Sequence, residues 1–383
     1  SIANGDTINI EYLFVYQLPF ALQETTRDIT LKFFDQLEMT GYAQGNSTTP
    51  VFEDYTFFYC PHFAKNAINP AVGSTIAGRP ADPTTVYVRS ARQLNALGRF
   101  VYYWNKNNNG IGNQFIYTQE TDINFSQYDT VYCGESFDLM DTSSANEYAN
   151  KPIGRPMAQG LSDNFQNVYD GQGNKIIDYC VDCRQSENYQ FVGLFGEIYQ
   201  AKLRNIIMRA STDGSAYVRS HYNYNSTERS SGTGALVGLV YTDASDTSTL
   251  VQNCSASGYE VTYNTGTMTS NCAVGGLVGY NMGEIVNSSA VCKLVQANVT
   301  YQNSDTIASI GGLVGSNYSL ISKSYAGGRL WYANTYNNSN APVEIGGLAG
   351  KCSYLWTTRT NFNNTITDCY SYSTIASMGS GSR

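Results

Sequence analysis

Gly276-Leu277-Val278-Gly279, with Ile285-Val286-Asn287-Ser288-Ser289-Ala290 six residues further on, is the stretch that decides the fold, because both parts recur. The first part returns as Gly193-Leu194-Phe195-Gly196, Ala235-Leu236-Val237-Gly238, Gly312-Leu313-Val314-Gly315 and Gly347-Leu348-Ala349-Gly350. Its leucines, at 194, 236, 277, 313 and 348, stand 42, 41, 36 and 35 residues apart. A tag at a nearly fixed period marks a repeat architecture. A stack of repeats is first a scaffold, so any chemistry has to be shown separately.

The second part returns as Val251-Gln252-Asn253-Cys254-Ser255-Ala256, Ile321-Ser322-Lys323-Ser324-Tyr325-Ala326 and Ile366-Thr367-Asp368-Cys369-Tyr370-Ser371, with a weaker copy from Leu203 to Met208. Aligned, the copies give three columns. The first is aliphatic: Leu203, Val251, Ile285, Ile321, Ile366. The second is Ile206, Cys254, Ser288, Ser324, Cys369, and the third is Met208, Ala256, Ala290, Ala326, Ser371. A continuous strand places inward residues two apart. A step of three and then two fits a strand, a corner and another strand, with small residues lining the corner. The tag glycines suit bends or close backbone approach. Polar β-prone segments such as Glu260–Tyr263 and Val295–Tyr301 finish each turn.

A β-solenoid satisfies this pattern, with coils about 4.8 Å apart and like residues stacked on like. A propeller has blades of similar length but needs hairpin signals, and no regular set of Asn-Gly or Asp-Gly turns accompanies these repeats. The tags and their downstream Ile/Val-x-Asn-Ser/Cys-x-Ala resemble GLUG-motif repeats of bacterial surface proteins. Tyr87–Leu94, Gln119–Ile123, Pro152–Gly154, Phe165–Ile177 and Phe191–Gly196 extend the likeness over about residues 86 to 375. The resemblance implies an all-β chain built as a right-handed parallel β-helix on a cell surface, in adhesin-like or pilin-like proteins. It is specific for fold and weak for function.

Two regions are expected: a small β-rich region over 1–85 and the solenoid over 86–383. Thr7–Tyr12 and Asp28–Phe33 alternate apolar and polar, and Tyr55–Cys60 reads as a third strand. Pro70 to Thr85 reads as a linker. Ser90-Ala91-Arg92-Gln93 is a capping box, and Leu94, Leu97 and Val101 follow at helical spacing. They predict a short capping helix near 90–101 over the first coil. Residues 135 to 165 read as a polar loop excursion. After Ser371 no cap follows, so either a removed domain or another surface is expected over the last coil, with a neighbouring chain or its residues 1 to 85 as candidates.

Composition narrows the function. Charged residues are 14%, well below the usual quarter, and the 31 tyrosines suit both ladders and contact surfaces. A net charge of −8 argues against nucleic acid as a partner. No stretch reaches the roughly 18 apolar residues of a membrane helix. Ser1 reads as a processed or recombinant start. Nine asparagine sequons occur, at 46, 124, 225, 253, 287, 298, 317, 337 and 363, as expected of a chain rich in Asn, Ser and Thr.

Chemistry-bearing constellations are sparse. Cys180-Val181-Asp182-Cys183 is the one close pair among nine cysteines, and it reads as a local disulfide or two buried thiols, since zinc needs four ligands. Cys254 and Cys369 lie three coils apart, about 14 Å, beyond disulfide reach, so both are expected as small buried apolar residues. Carbohydrate-active β-helices gather carboxylates on neighbouring coils, but the equivalent positions Asn205, Asn253, Asn287, Lys323 and Asp368 hold one acid and one base. Asp170-Gly171-Gln172-Gly173-Asn174 lacks the Lys and Ser/Thr of a phosphate loop and reads as a glycine turn. His62 and His221 stand alone and read as structural or solvated.

No catalytic, cofactor or metal residue is therefore assigned. The expectation is a non-enzymatic extracellular structural or adhesive surface protein, as a filament subunit or stalk. Its expected partners are itself, other surface proteins or a glycan, and the alternative is a carbohydrate-binding or carbohydrate-active β-helix.

Overall fold

Val251 lies opposite Ile285, Ile285 opposite Ile321 and Ile321 opposite Ile366, all in parallel register. The same file continues backwards through Leu203, Tyr169, Tyr117 and Val86. The first column of the sequence is thus one ladder of eight residues, and the chain is a parallel β-solenoid. The structure, a computed structural model, describes residues 84–88, 91, 94, 97, 115–125, 130–132, 135–137, 152–154, 164–183, 189–212, 215–221, 230–242, 248–268, 271–301, 306–334, 343–353 and 364–378. The strands expected between residues 1 and 83, with Ser90, Gln93 and Val101 of the capping box and helix, lie outside them.

The five coils between Val168 and Cys352 each cross four sheets. The ladder sheet has eight strands, among them Lys202–Arg204, Leu250–Gln252, Glu284–Val286, Ile321–Ser322 and Ile366–Thr367. The chain then turns a corner into an eleven-stranded path that carries the third column. Met208 pairs with Ala256, Ala256 with Ala290, Ala290 with Ala326 and Ala326 with Ser371. The same path holds the finishing segments Tyr217–Ser220, Glu260–Met268 and Ser289–Tyr301. Two five-stranded sheets flank the tag. Phe191–Val192, Ser231–Gly234, Cys272–Gly275, Ala308–Gly311 and Val343–Gly346 enter it. Phe195–Tyr199, Val237–Tyr241, Val278–Asn281, Val314–Asn317 and Ala349–Cys352 leave it. Every pairing between coils is parallel. Among the described residues one antiparallel pair, Thr130–Tyr132 with Glu135–Phe137, forms a sheet of its own.

The tag leucines Leu194, Leu236, Leu277 and Leu313 are buried in one continuous core, each worth about 1.5–3 kcal/mol of transfer free energy. The tag glycines serve close approach rather than bending. A methyl group on Gly276 would meet the carbonyl oxygen of Gly312, and one on Gly312 that of Gly347. Left-handed φ at glycine occurs elsewhere, at Gly154, Gly173, Gly258 and Gly328.

The core is filled by rings in the early coils, where Tyr117, Phe125, Phe165, Tyr169 and Phe195 are fully buried, and mainly by aliphatic and small residues in the later ones, with Tyr259 and Tyr263 buried among them. Ala91, Leu94 and Leu97 are helical and buried in the same core, and the rest of the expected capping helix lies outside the described residues. The excursion expected over 135–165 is more than a loop. Ile153 and Phe165 bridge in parallel to Phe195 and Ile198, and both side chains are fully buried. They stand in for a strand that this coil lacks.

Candidate functional site

The equivalent positions Asn205, Asn253, Asn287, Lys323 and Asp368 occupy one corner, and all five have a left-handed backbone, with φ from 48° to 56°. Asparagine tolerates this conformation better than most residues carrying a Cβ. Its side chain then has a second role. Asn287 Nδ2 donates to Asn253 Oδ1 at 2.8 Å, and Asn253 Nδ2 to Asn205 Oδ1 at 3.1 Å. Asn205 Nδ2 ends the file on Asp170 Oδ1 at 2.9 Å. Asp170 is also held by Arg204 Nε at 2.7 Å. The amides are hydrogen-bonded to one another, and two acids do not converge at this corner.

Just inside the same corner a second file runs through the small polar column. The Ser288 hydroxyl donates to the Val286 carbonyl at 3.0 Å and accepts the Cys254 amide at 3.1 Å. Ser324 repeats this on the Ser322 carbonyl and the Ser288 amide. Cys254 and Cys369 imitate it weakly, each aiming its Sγ at the carbonyl two residues back. Cys254 is buried as expected. Cys369 is only half-buried, because nothing among the described residues covers its coil. Cys180 and Cys183 are buried thiols rather than a disulfide. Burial pushes the Cys180, Cys254 and Cys292 thiols up to about 12.

The outer face of the finishing segments carries a charge file that the repeat pattern did not reveal. Arg219 stands 3.8 Å from Asp182 and 3.8 Å from Glu260, and Lys293 Nζ reaches Glu260 at 2.8 Å. The Arg219 guanidinium also lies over the Tyr217 ring, 3.9 Å from its centroid. Signs alternate from coil to coil, so the cations compensate the carboxylates. His221 follows this segment and is half-buried; His62 lies outside the described residues. Asp170 to Asn174 forms the turn between Val168–Asp170 and Lys175–Ile177, with Gln172 and Gly173 left-handed. Among the described residues no three His, Cys, Asp or Glu side chains gather to hold a metal ion.

Outward side chains of the two tag sheets form a separate apolar cluster of Phe191, Leu239, Ala273 and Tyr280. Tyr318 stacks on Tyr280 with ring centroids 6.2 Å apart and planes 15° apart.

The last coil differs from every other. Ile366 is 40% exposed, Tyr370 60%, Tyr372 58% and Ile375 51%, and these are the exposed large hydrophobics among the described residues. Ile366 continues the file of Ile321, and Ile375 that of Leu330. Two of the four are thus core positions whose next layer is missing from the described residues.

Taken together, the ladders and the tag define a parallel β-solenoid with a repeated glycine-leucine corner. The family model described as the GLUG motif matches residues 270–291, which hold the Gly276–Gly279 tag and the Ile285–Ala290 stretch. The chain carries this motif, and the remaining tags occupy the equivalent corner in their own coils. Neither a curated protein nor a solved structure is matched by the chain. No helix among the described residues is long and apolar enough to cross a membrane.

Proposed function

We propose that the chain is a non-enzymatic extracellular structural or adhesive surface protein that works by associating with itself or with other surface proteins, as a filament subunit or stalk. The observation that carries this reading is the exposure of Ile366 and Ile375, which continue buried files of the core on the last described coil. An open coil edge is a template for another chain, and soluble proteins normally blunt or cover it. The amide and charge files support a load-bearing scaffold, since their polar groups are spent on neighbouring coils.

Electron microscopy of the native material, with antibody labelling of intact source cells, tests the reading. Surface label on filaments or on paired particles is expected. Label confined to permeabilised cells would sink it. A carbohydrate-binding or carbohydrate-active β-helix is the alternative reading; the Tyr280–Tyr318 stack does not by itself favour it, since Tyr280 is buried. A glycan array tests that alternative directly.

A further inference from the structure

We infer that the outer face of the finishing segments binds an acidic polysaccharide, with a uronate carboxylate on Arg329 and sugar hydroxyls on Gln296 and Asn264. This site rests on the carbohydrate-binding reading and gives it a ligand class and a place.

Alternation fixes which residues face outward. Val261, Tyr263, Val295, Ala297, Leu330 and Tyr332 are buried in the core. The residues that alternate with them, Asn264, Gln296, Asn298, Arg329 and Trp331 among them, therefore point away from it. Register lines these up from coil to coil. Arg219, Thr262, Gln296 and Trp331 form one file, and Asn264, Asn298 and Ala333 form the next.

Two arginines on this face lie over aromatic rings, and they differ in what else they meet. Arg219 covers Tyr217 and faces Asp182 and Glu260, each at 3.8 Å. Arg329 covers Trp331, with Cζ 4.4 Å from the ring centroid, and makes no ion pair among the described residues. No acid is in register with it. Thr374 stands on one side, and on the other a bulge sets Lys293 and Leu294 against it. Lys293 is already paired with Glu260 at 2.8 Å. Arg329 is exposed, and the ring contact restricts its rotamers, so its planar fork of donors is arranged before a ligand arrives. A carboxylate from outside completes at Arg329 what Asp182 and Glu260 supply to Arg219.

The amides alongside favour a sugar as the bearer of that carboxylate. Gln296 Nε2 donates to Asn298 Oδ1 at 2.6 Å, and Asn298 Nδ2 donates to Asn264 Oδ1 at 2.6 Å. This relay orients all three groups. It leaves Gln296 Oε1 and Asn264 Nδ2 without a hydrogen bond among the described residues. One is an acceptor and the other a donor, and a hydroxyl-rich ligand matches both. The coils of Asn264 and Trp331 are two steps apart, about 10 Å, a span that a disaccharide covers. An acidic peptide fits less well. Leu330 to Ala333 already pairs on both sides, so there is no free edge for an added strand. The chain as a whole carries −8, so a polyanion is held by these local donors and not by the overall field.

Isothermal titration calorimetry of the full chain with polygalacturonate tests this, with its methyl ester as the uncharged control and circular dichroism as the check on folding. Polygalacturonate should bind, and the ester at least about tenfold more weakly. Arg329→Gln and Trp331→Ala should each weaken binding by at least about tenfold. Arg329→Lys should restore only part, since it keeps the charge and loses the fork. Arg209→Gln, at an exposed arginine on Ile207–Arg209, should change nothing. Polyglutamate bound as tightly as polygalacturonate would overturn the inference in favour of an acidic peptide. The ester or a neutral glucan bound as tightly as the acid, or binding indifferent to Arg329 and Trp331, would overturn this site and leave the carbohydrate reading standing. No binding to the acid, the ester or the glucan would overturn both.

Discussion

Asn281 donates through Nδ2 to Oδ1 of Asn317, 2.7 Å away in the next coil, with both side chains completely buried. Asn317 passes the bond on to Asn364 at 2.9 Å. Each asparagine also closes its own turn, accepting from the Gly283 or the Ser319 amide two residues ahead. A buried amide in a satisfied file is tolerable; one that loses its neighbour is not. Asn317→Ala should therefore destabilise the later coils by about 2–4 kcal/mol, because it orphans polar groups on both sides. Hydrogen exchange should show protection lost first around residues 281 to 320. The same burial closes the Asn317 sequon to glycosylation, so peptides covering it should carry no glycan from any host.

The outer corner file makes a second, opposite prediction. Lys323 has φ 50° at a position where three preceding coils use asparagine. Replacing it by asparagine suits the left-handed backbone and places an amide within the file, next to Asn287. Lys323→Asn should stabilise by about 0.5–1 kcal/mol, and Asn253→Ala should destabilise by about 1–2 kcal/mol. Asn253→Gly separates the two effects, since it keeps the backbone and loses the bonds. Urea midpoints of the three variants check this. Equal midpoints for the alanine and glycine variants would assign the whole effect to the hydrogen bonds.

Most of the repeat frame could be read from residue identity. Val251, Ile285, Ile321 and Ile366 are alike because each stacks on the next, so a columnar alignment exposes the ladder directly. The Arg219 file could not be read in this way. Its members Asp182, Arg219, Glu260 and Lys293 differ in type because opposite charges attract, and they sit in segments of unequal length. The left-handed backbone at Lys323 was equally hidden, since no lysine advertises it. Ile153 and Phe165 looked like loop residues because each bridges alone rather than within a strand. What repeats by likeness is visible in sequence; what pairs by complementarity or docks once needs coordinates.

The thiols give a third test. Cys254 and Cys292 are enclosed by stacked coils, and burial pushes both up to about 12. While the coils stay stacked, burial therefore keeps both as thiols at pH 8. Cys352 is exposed on the last coil. Native iodoacetamide labelling followed by peptide mass mapping should modify Cys352 well before Cys254, Cys272 or Cys292. Rapid labelling of Cys254 in the folded chain would contradict the stacked interior.

Glu197 supplies the last prediction. It lies on Phe195–Tyr199, where its amide donates to the Gly154 carbonyl at 2.6 Å and its carbonyl accepts from the Phe165 amide at 2.9 Å. Burial raises its carboxyl from 4.5 to about 7, and a hydrogen bond from Asn164 offsets only part of that. The folded chain therefore keeps a proton that the unfolded chain loses above about pH 4.5. Stability from this group is fully present below that pH and declines as pH rises toward 7. At pH 8 both states are ionised and the folded state bears the cost of a poorly solvated carboxylate. Glu197→Gln removes the charge and keeps the shape. It should be nearly neutral at pH 4.5 and stabilising by about 2 kcal/mol at pH 8, with partial solvent contact discounting the full shift. Urea unfolding of both proteins at the two pH values gives the difference. An identical gap at pH 4.5 and pH 8 would mean that the Glu197 carboxylate is solvated in the folded chain.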